Sequence, residues 1–268
     1  MTDCLTSVAD ALNGFAPISL DEMGAVKLMN RTDTKFVINV TQLLRILDFA
    51  RYYYKVQETL GERLIEYRTT YYDTADWRML RAHTTGRKSR VKVRVRTYVG
   101  SNLTFIEVKR KNNHGRTKKK RIPVALPPSG ALPPEALSFI SASSPYAAET
   151  LSPAVGNVFR RVTLVNNEMT ERLTIDLCLS LTNLRSGEMV NLADTVIVEV
   201  KRGGRNFSRV VSWLHDHGVR KHGFSKYCYG ALLSDSSLPL GVMKPKMRQL
   251  LRKGLIPAPV SSWRQWAA

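Results

Sequence analysis

The sequence predicts an α+β fold: one antiparallel β-barrel with helices packed outside it. Three observations lead there. About eight segments carry the apolar–polar alternation of strands, and helical patterns are few, which argues against a parallel α/β sheet. A hydrophobic fraction of 43% in 268 residues is enough to build a core. On strand after strand, the polar side of the alternation is charged.

The elements follow in order. Residues 1–30 read as short helices, with Ser19 and Glu22 forming a capping box ahead of the second. RTDTKFVI at 31–38 reads as a strand, and Thr41 caps a helix through QLLRILDFARYYY. Residues 62–73 form a strand ending in YYD, and Asp76–Arg81 is a turn or a helical turn. Residues 87–99 and 103–111 are two strands around Val99–Asn102, where Gly100 supports a hairpin turn. The Pro-, Ser- and Ala-rich segment 126–153 is a surface excursion, partly helical around 134–141. Strand patterns return at 157–165, 171–182 and 194–202, and residues 206–217 suit a helix closed by Gly218. From Ser234 onward come a polar linker, a short basic helix near 245–253 and a tail bearing Trp263 and Trp266. The expected division is 1–233 for the barrel with its N-terminal helices and 234–268 for linker, helix and tail.

Composition narrows the partners. Lys and Arg number 41 against 22 Asp and Glu, a formal net charge of +19. Such an excess calls for an anionic partner: nucleic acid, a membrane surface or a soluble polyanion. No apolar run is long enough to span a bilayer, and no secretory signal opens the chain. Cys4, Cys178 and Cys228 lie too far apart in sequence for a disulfide framework or a zinc knuckle, so a reducing, cytoplasmic setting is expected.

The charged face carries the functional argument. In RKSRVKVRVRTYV, Arg90, Lys92, Arg94 and Arg96 share one side and Val91, Val93 and Val95 the other. Glu107, Lys109 and Lys111 oppose Ile106 and Val108; Arg172, Thr174 and Asp176 oppose Leu173, Ile175 and Leu177; Glu199 and Lys201 oppose Val196, Val198 and Val200. Any one such strand is an ordinary half-exposed strand. Taken together they are not, because like charges opposite one another across a ladder repel. If the sheet closes, the helices at 41–53 and 206–217 cover the aliphatic face and the charged face lines a lumen. Glu107, Asp176 and Glu199 cannot neutralise that lumen, so it must stay wet and hold closely spaced phosphates.

At these residues the sequence resembles the polyphosphate polymerase (VTC) domain of the CYTH/triphosphate tunnel metalloenzyme superfamily. The matching pieces are RTDTKF at 31–36, YYDT at 71–74, KVRVRTY at 92–98, IEVK at 106–109, VFRRV at 158–162, RLTID at 172–176, VEVK at 198–201 and FSKY at 224–227. The resemblance implies a closed tunnel of eight antiparallel strands whose basic lining binds a phosphate chain. It implies phosphate contacts from Lys35, Arg94, Arg96, Lys109, Arg161, Arg172, Lys201 and Lys226, and a divalent metal, Mn²⁺ or Mg²⁺, held by Glu199. Asp33 stands where the first strand usually has Glu. Gly223 stands where a basic residue is common, with Lys221 or His222 as substitutes.

The implied activity is ATP:polyphosphate phosphotransfer, in which Arg94, Arg96, Lys109, Arg161 and Glu199 hold the γ-phosphoryl of ATP in line with a chain end. Glu107 or Asp176 would assist Glu199, and an open-ended tunnel lets product thread away. No Ser/His/Asp or Cys/His set is evident, and an anionic phosphate acceptor requires no general base. Inorganic triphosphate hydrolysis, or binding without turnover, is the alternative on the same lining. ATP and polyphosphate are the expected partners, and nucleic acid is not.

The basic run at 109–121 reads as a solvated hairpin tip or a funnel for anions, without aromatics to stack bases. His215 and His217 point in different directions, and Cys178 is a small filler on the inward face beside Asp176. The helix at 243–253 packs on the barrel through Met247, Leu250 and Leu251. Docking of the tail to a membrane or a membrane protein is the other reading, and would make the protein membrane-associated through a partner.

Overall fold

The computed structural model describes residues 2–24, 31–127, 130–204 and 206–258. The chain opens with helix α1 (Thr2–Asn13), strand β1 (Pro17–Ile18) and the short helix α2 (Leu20–Met23), which the Ser19/Glu22 capping box starts. Strand β2 (Arg31–Asn39) leads into α3 (Val40–Ala50), capped by Asn39 rather than Thr41 because the Asn39 side chain accepts from the Gln42 amide. Strands β3 (Tyr54–Gln57) and β4 (Ile65–Thr74) come next, followed by α4 (Arg78–Thr84). Strands β5 (Arg90–Tyr98), β6 (Leu103–Lys111) and β7 (Thr117–Pro123) form a meander ahead of α5 (Pro134–Ser143). The second half holds β8 (Leu151–Asn166), β9 (Glu171–Asn183), β10 (Met189–Leu192), β11 (Thr195–Gly203), α6 (Arg209–Asp216), α7 (Lys226–Ser234) and α8 (Lys244–Arg252).

All eleven strands join one sheet, whose main path is β2-β11-β9-β8-β4-β5-β6-β7. Every step along it is antiparallel. The short strand β1 pairs in parallel with β3, β3 pairs with β8, and β10 pairs with β9. The expectation of a closed eight-stranded tunnel is corrected on two counts. There are eleven strands, and among the described residues the end strands β2 and β7 make no ladder. β7 carries four consecutive cations, Lys118 to Arg121, and β2 carries Lys35, so a ladder between them would oppose like charges.

The sheet nevertheless curls. Lys109 on β6 senses the charges of Lys35 on β2 and Glu199 on β11, although five strands lie between β6 and β2 on the path. The polar rows of the two ends therefore face one another across an interior. The outer aliphatic face is covered in two halves. Phe36, Val198, Ile175 and Val162 pack with Leu43, Leu47, Val210 and Leu214, under the two helices expected to cover them, joined by Val8 and Leu12 of α1. Val93, Val95, Ile106 and Val108 pack instead with Met79 of α4 and Ala136 and Ile140 of α5.

One end of the interior is filled. Val37, Leu179, Leu181 and Ile197 share a cluster with Tyr227, Cys228, Ala231 and Leu232 of α7 and with Met247 and Leu250 of α8. The expected open-ended tunnel is thus corrected to a bore stopped at one end. Sequence reading missed α7 because every residue from Tyr227 to Ser234 is buried, so no amphipathic period marks it. Gly230 lets α7 seat, since a Cβ there would lie 2.6 Å from Cγ1 of Val155. Gly230→Ala is expected to cost about 1–3 kcal/mol through overpacking. An unchanged denaturation midpoint would refute this seating.

Smaller differences have local causes. The helix expected over 41–53 stops at Ala50, because Tyr54 and Val56 join the aliphatic cluster under α3 as the alternating strand β3. Of the turn or helical turn expected at Asp76–Arg81, the helical form is present and extends as α4 to Thr84, pinned by Asp73, whose carboxylate accepts from the Met79 and Leu80 amides. Cys178 faces outward, with Leu177, into the cluster under α3. The register shifts between Val158 and Arg160, and Cys178 takes φ +51, so a bulge reverses the alternation after Asp176. His217 stacks on Trp213 with ring centroids 3.7 Å apart. Trp263 and Trp266 lie outside the described residues.

Candidate functional site

The bore is built from strand alternation. On β5, Lys92, Arg94 and Arg96 point inward because Val91, Val93 and Val95 are taken by the outer core. The neighbouring strands contribute Glu107 and Lys109 from β6 and Lys119 from β7, whose register sets Lys119 opposite Lys109 and Arg121 opposite Glu107. From the other side come Arg161 on β8, Arg172 and Asp176 on β9, Glu199 and Lys201 on β11, and Lys35 on β2. The eighth expected cation, Lys226, enters from the first turn of α7.

Three carboxylates organise these cations. Asp176 accepts Nε of Arg161 at 2.5 Å and Nη2 at 2.8 Å, and Lys226 also bonds it. Burial pushes the Asp176 carboxyl up, but Arg161 and Lys226 outweigh it and hold the group well below the usual carboxylate range. Glu107, 1% exposed, takes Nε of Arg94 at 2.6 Å, and its other oxygen pairs with Lys119. It is brought down to about 2: burial opposes this, and Arg94 and the Lys119 bond prevail. Glu199 lies 3.5 Å from Lys35 and 3.0 Å from Lys201, and accepts from the Thr174 hydroxyl at 3.4 Å. Its carboxyl also stands at about 2, where burial is outweighed by the two lysines.

Cations still outnumber these acids. Lys92, Arg96 and Lys109 have no carboxylate within 4 Å among the described residues. Arg96, 8% exposed, makes a 3.3 Å bond to the Thr69 hydroxyl. Burial first, then Arg94 and Arg161, bring its guanidinium down to about 10. Lys92 donates to the Ser225 hydroxyl at 2.9 Å, and burial lowers its ammonium. Burial likewise lowers Lys109 and Lys201, and brings Lys226 down to about 8. Each shift says that the positive charge is under-compensated, and each would reverse beside a phosphate oxygen.

Aromatic faces carry part of this load. The Arg161 and Arg96 guanidiniums lie 4.9 and 5.5 Å from the Tyr67 ring centroid, and the Lys226 ammonium lies 4.0 Å from that of Phe159. Ser225, the N-cap of α7, accepts from the Cys228 amide, so the positive end of that helix dipole also faces the lysine row.

The sequence-expected residues Lys35, Arg94, Arg96, Lys109, Arg161, Lys201, Lys226 and Glu199 therefore share one interior, and Arg172 sits opposite Lys201 on the adjoining strand. His222 does not substitute for the basic residue missing at Gly223: its ring bonds the Lys246 carbonyl at 3.2 Å, away from the bore. Lys221 is exposed, and Asp33 is exposed at the β2 end opposite Lys201. The residues that sequence reading left out are Lys92, Lys119, Thr69 and the aromatic floor. Lys92 was visible in its strand row. Lys119 was not, because four cations in succession hide the alternation of β7 within a run that reads as a hairpin tip or a funnel for anions.

A divalent metal has a restricted place here. Among the described residues no three Asp, Glu, His or Cys side chains gather into a metal cluster. All three carboxylates are paired with two cations, but Asp176 and Glu107 are held closely and almost fully buried, whereas Glu199 meets its lysines at 3.0 and 3.5 Å with more of its side chain exposed, so Glu199 is the one placed to take an ion. The donor set fits an ion that takes Glu199 as its one carboxylate and draws its remaining oxygens from phosphates and water, the usual habit of Mg²⁺.

No curated protein matches the chain. Solved structures that resemble it include a candidate adenylate cyclase of Bacillus halodurans, at 12% identity and TM-score 0.48, covering 74% of this chain and 96% of that one. A Hippeastrum protein described as having a dominant triphosphatase activity aligns at 13% identity and TM-score 0.45, over 79% of this chain and 99% of that one. A family model of the VTC domain matches residues 30–132 and 135–234, more than half of the chain and nearly all of the strands that line the bore, and the protein belongs to the VTC domain family.

Proposed function

We propose that the protein is an ATP-dependent polyphosphate polymerase, transferring the γ-phosphoryl of ATP to the end of a phosphate chain held in the bore. One observation carries the reading. The bore has an excess of cations, and its buried carboxylates, Asp176, Glu107 and Glu199, are each paired with cations; Asp33, the further acid on that face, lies at the exposed β2 end, so the buried part of the site can grip phosphates but has no uncommitted acid to activate water. Transfer to a phosphate oxygen needs no such base, because the acceptor is already anionic.

Arg94, Arg96 and Arg161 offer planar forks to non-bridging oxygens, and Lys35, Lys109 and Lys201 add point charges along the chain. These groups are fixed before substrate arrives, by the Glu107 and Asp176 bonds and by the aromatic floor. Their work is positioning and neutralisation of the charge spread over the transferring group. Glu199 would hold a Mn²⁺ or Mg²⁺ ion, which when bound neutralises and orients the donor phosphates. Lys226 stands beside the stopped end and limits how deep a chain can enter.

Inorganic triphosphate hydrolysis is the second reading, and the stopped end of the bore favours it, since a blind bore suits a short substrate. Purified protein incubated with ATP and Mn²⁺ separates the two. Chains of growing length on a gel are expected; phosphate release without chains establishes hydrolysis instead. ATP bound without turnover would mark a binding module. Short polyphosphate should displace ATP at concentrations where duplex DNA does not. No helix among the described residues is long and apolar enough to cross a membrane. We propose a cytoplasmic location; deleting 234–268 and assaying membrane association tests whether the tail docks to a membrane partner.

A further inference from the structure

Tyr71 on β4 has no part in the scheme above, yet it sits among the cations. It is 6% exposed, pairs across the ladder with Arg94, and packs at a tilt against Tyr227 of α7 with ring centroids 5.2 Å apart. Nη1 of Arg94 donates to its hydroxyl oxygen at 3.4 Å. Among the described residues the Tyr71 hydroxyl accepts that bond but finds no acceptor for its own proton.

The charges that act on it most strongly are positive. Lys92, Arg94 and Arg96 face it from β5, and Lys226 faces it from α7. The nearby acids are committed elsewhere. Glu107 on β6 is held by Arg94 and Lys119, and Asp176 on β9 by Arg161 and Lys226. Asp73, two residues along β4, accepts three backbone amides and the Tyr227 hydroxyl. His83 on α4 is held neutral, by burial first and then by Lys92 and Arg90. Besides the Cys228 thiol on α7, which acts on Lys92, the Tyr71 phenol is the group in that setting that can supply a negative charge.

We propose that Tyr71 is the bore's own counter-ion: its phenolate offsets the surrounding cations while the bore is empty, and it takes up a proton when a phosphate chain replaces it. The proposal rests on the reading that the bore binds phosphate chains. The proton comes from solvent, and phenolate plus proton gives phenol with no other bond changed. Burial alone would push the hydroxyl up; Arg94, Lys92, Arg96 and Lys226 outweigh it and bring it down to about 7. The arriving anion raises it again, so affinity for the chain falls as pH rises above about 7, at most about tenfold per pH unit for one proton. The Lys226 ammonium, at about 8, acts in the same direction, so a variant is needed to separate the two.

The test uses the whole protein and tripolyphosphate. The wild-type protein near pH 8 should show a tyrosinate band in the near ultraviolet that tripolyphosphate bleaches. Calorimetry in two buffers of different ionisation enthalpy should show about one proton more taken up than in Tyr71→Phe. In Tyr71→Phe the bleaching should vanish and the loss of affinity with pH should flatten by up to about tenfold per unit. Tripolyphosphate binding with no bleaching, and equal proton uptake in both proteins, overturns the proposal while leaving the bore reading intact. Absence of tripolyphosphate binding overturns both. Should Tyr71→Phe fold poorly, a pH titration of the empty wild-type protein decides alone: no tyrosine ionising near neutrality sinks the idea.

Discussion

Asp176→Asn is expected to destabilise the empty protein by about 3–5 kcal/mol, the usual effect of removing one partner from a buried ion pair. Asp176 is 4% exposed and compensates two cations at once, Arg161 and Lys226. Asn keeps the size and loses the charge, so both cations are left buried beside Arg96 with only aromatic faces to rest on. Tripolyphosphate should then stabilise the variant more than the wild type, because it supplies the charge that Asp176 supplied. Denaturant unfolding with and without ligand measures both effects. Equal ligand-induced shifts in the two proteins would place the phosphate elsewhere. The pH dependence has a definite sign. A carboxyl held below its unfolded value stabilises the fold above the ordinary carboxylate range and loses that contribution as pH falls. The wild-type contribution from Asp176 should therefore persist at mildly acidic pH and disappear in strong acid.

Glu199→Gln should lower turnover by about 10²–10³, the scale of losing one charge-stabilising group in an active site. Gln fills the same volume but offers a metal a neutral oxygen. Lys35 and Lys201, freed from the carboxylate, then add to the cations available to phosphate. Tripolyphosphate affinity should stay level or rise while turnover collapses, and added Mn²⁺ should no longer stimulate. A variant that keeps its activity shows that Glu199 holds no metal needed for the reaction. A variant that loses binding and turnover together shows that Glu199 shapes the bore instead.

The rows of the bore were readable in the chain because a strand has a fixed period of two. Once Val91, Val93 and Val95 are assigned to a core, Lys92, Arg94 and Arg96 must share the other side, and the same holds for Glu199 and Lys201. The alternation fails where the backbone departs from it. At Cys178 a residue with φ +51 and a shifted register turn the side chain outward, and nothing in RLTIDLCLSL announces the bulge. Lys119 was hidden by its neighbours: in TKKKRIP every residue through Arg121 is polar, so the row has no apolar counterpart to set its phase. The helix α7 was hidden by the opposite condition, a segment buried on every side from Tyr227 to Ser234.

Local chemistry alone therefore settled the antiparallel β architecture and the cation-rich polar rows, because charge and period are properties of each strand. The tertiary structure decided which cations meet which acids, that Asp176 and Glu107 are already occupied, that α7 stops one end, and that among the described residues β2 and β7 make no ladder with each other. Those outcomes depend on long-range register and on where a helix buried on every side finds room, and neither is written within a few residues of the groups it controls.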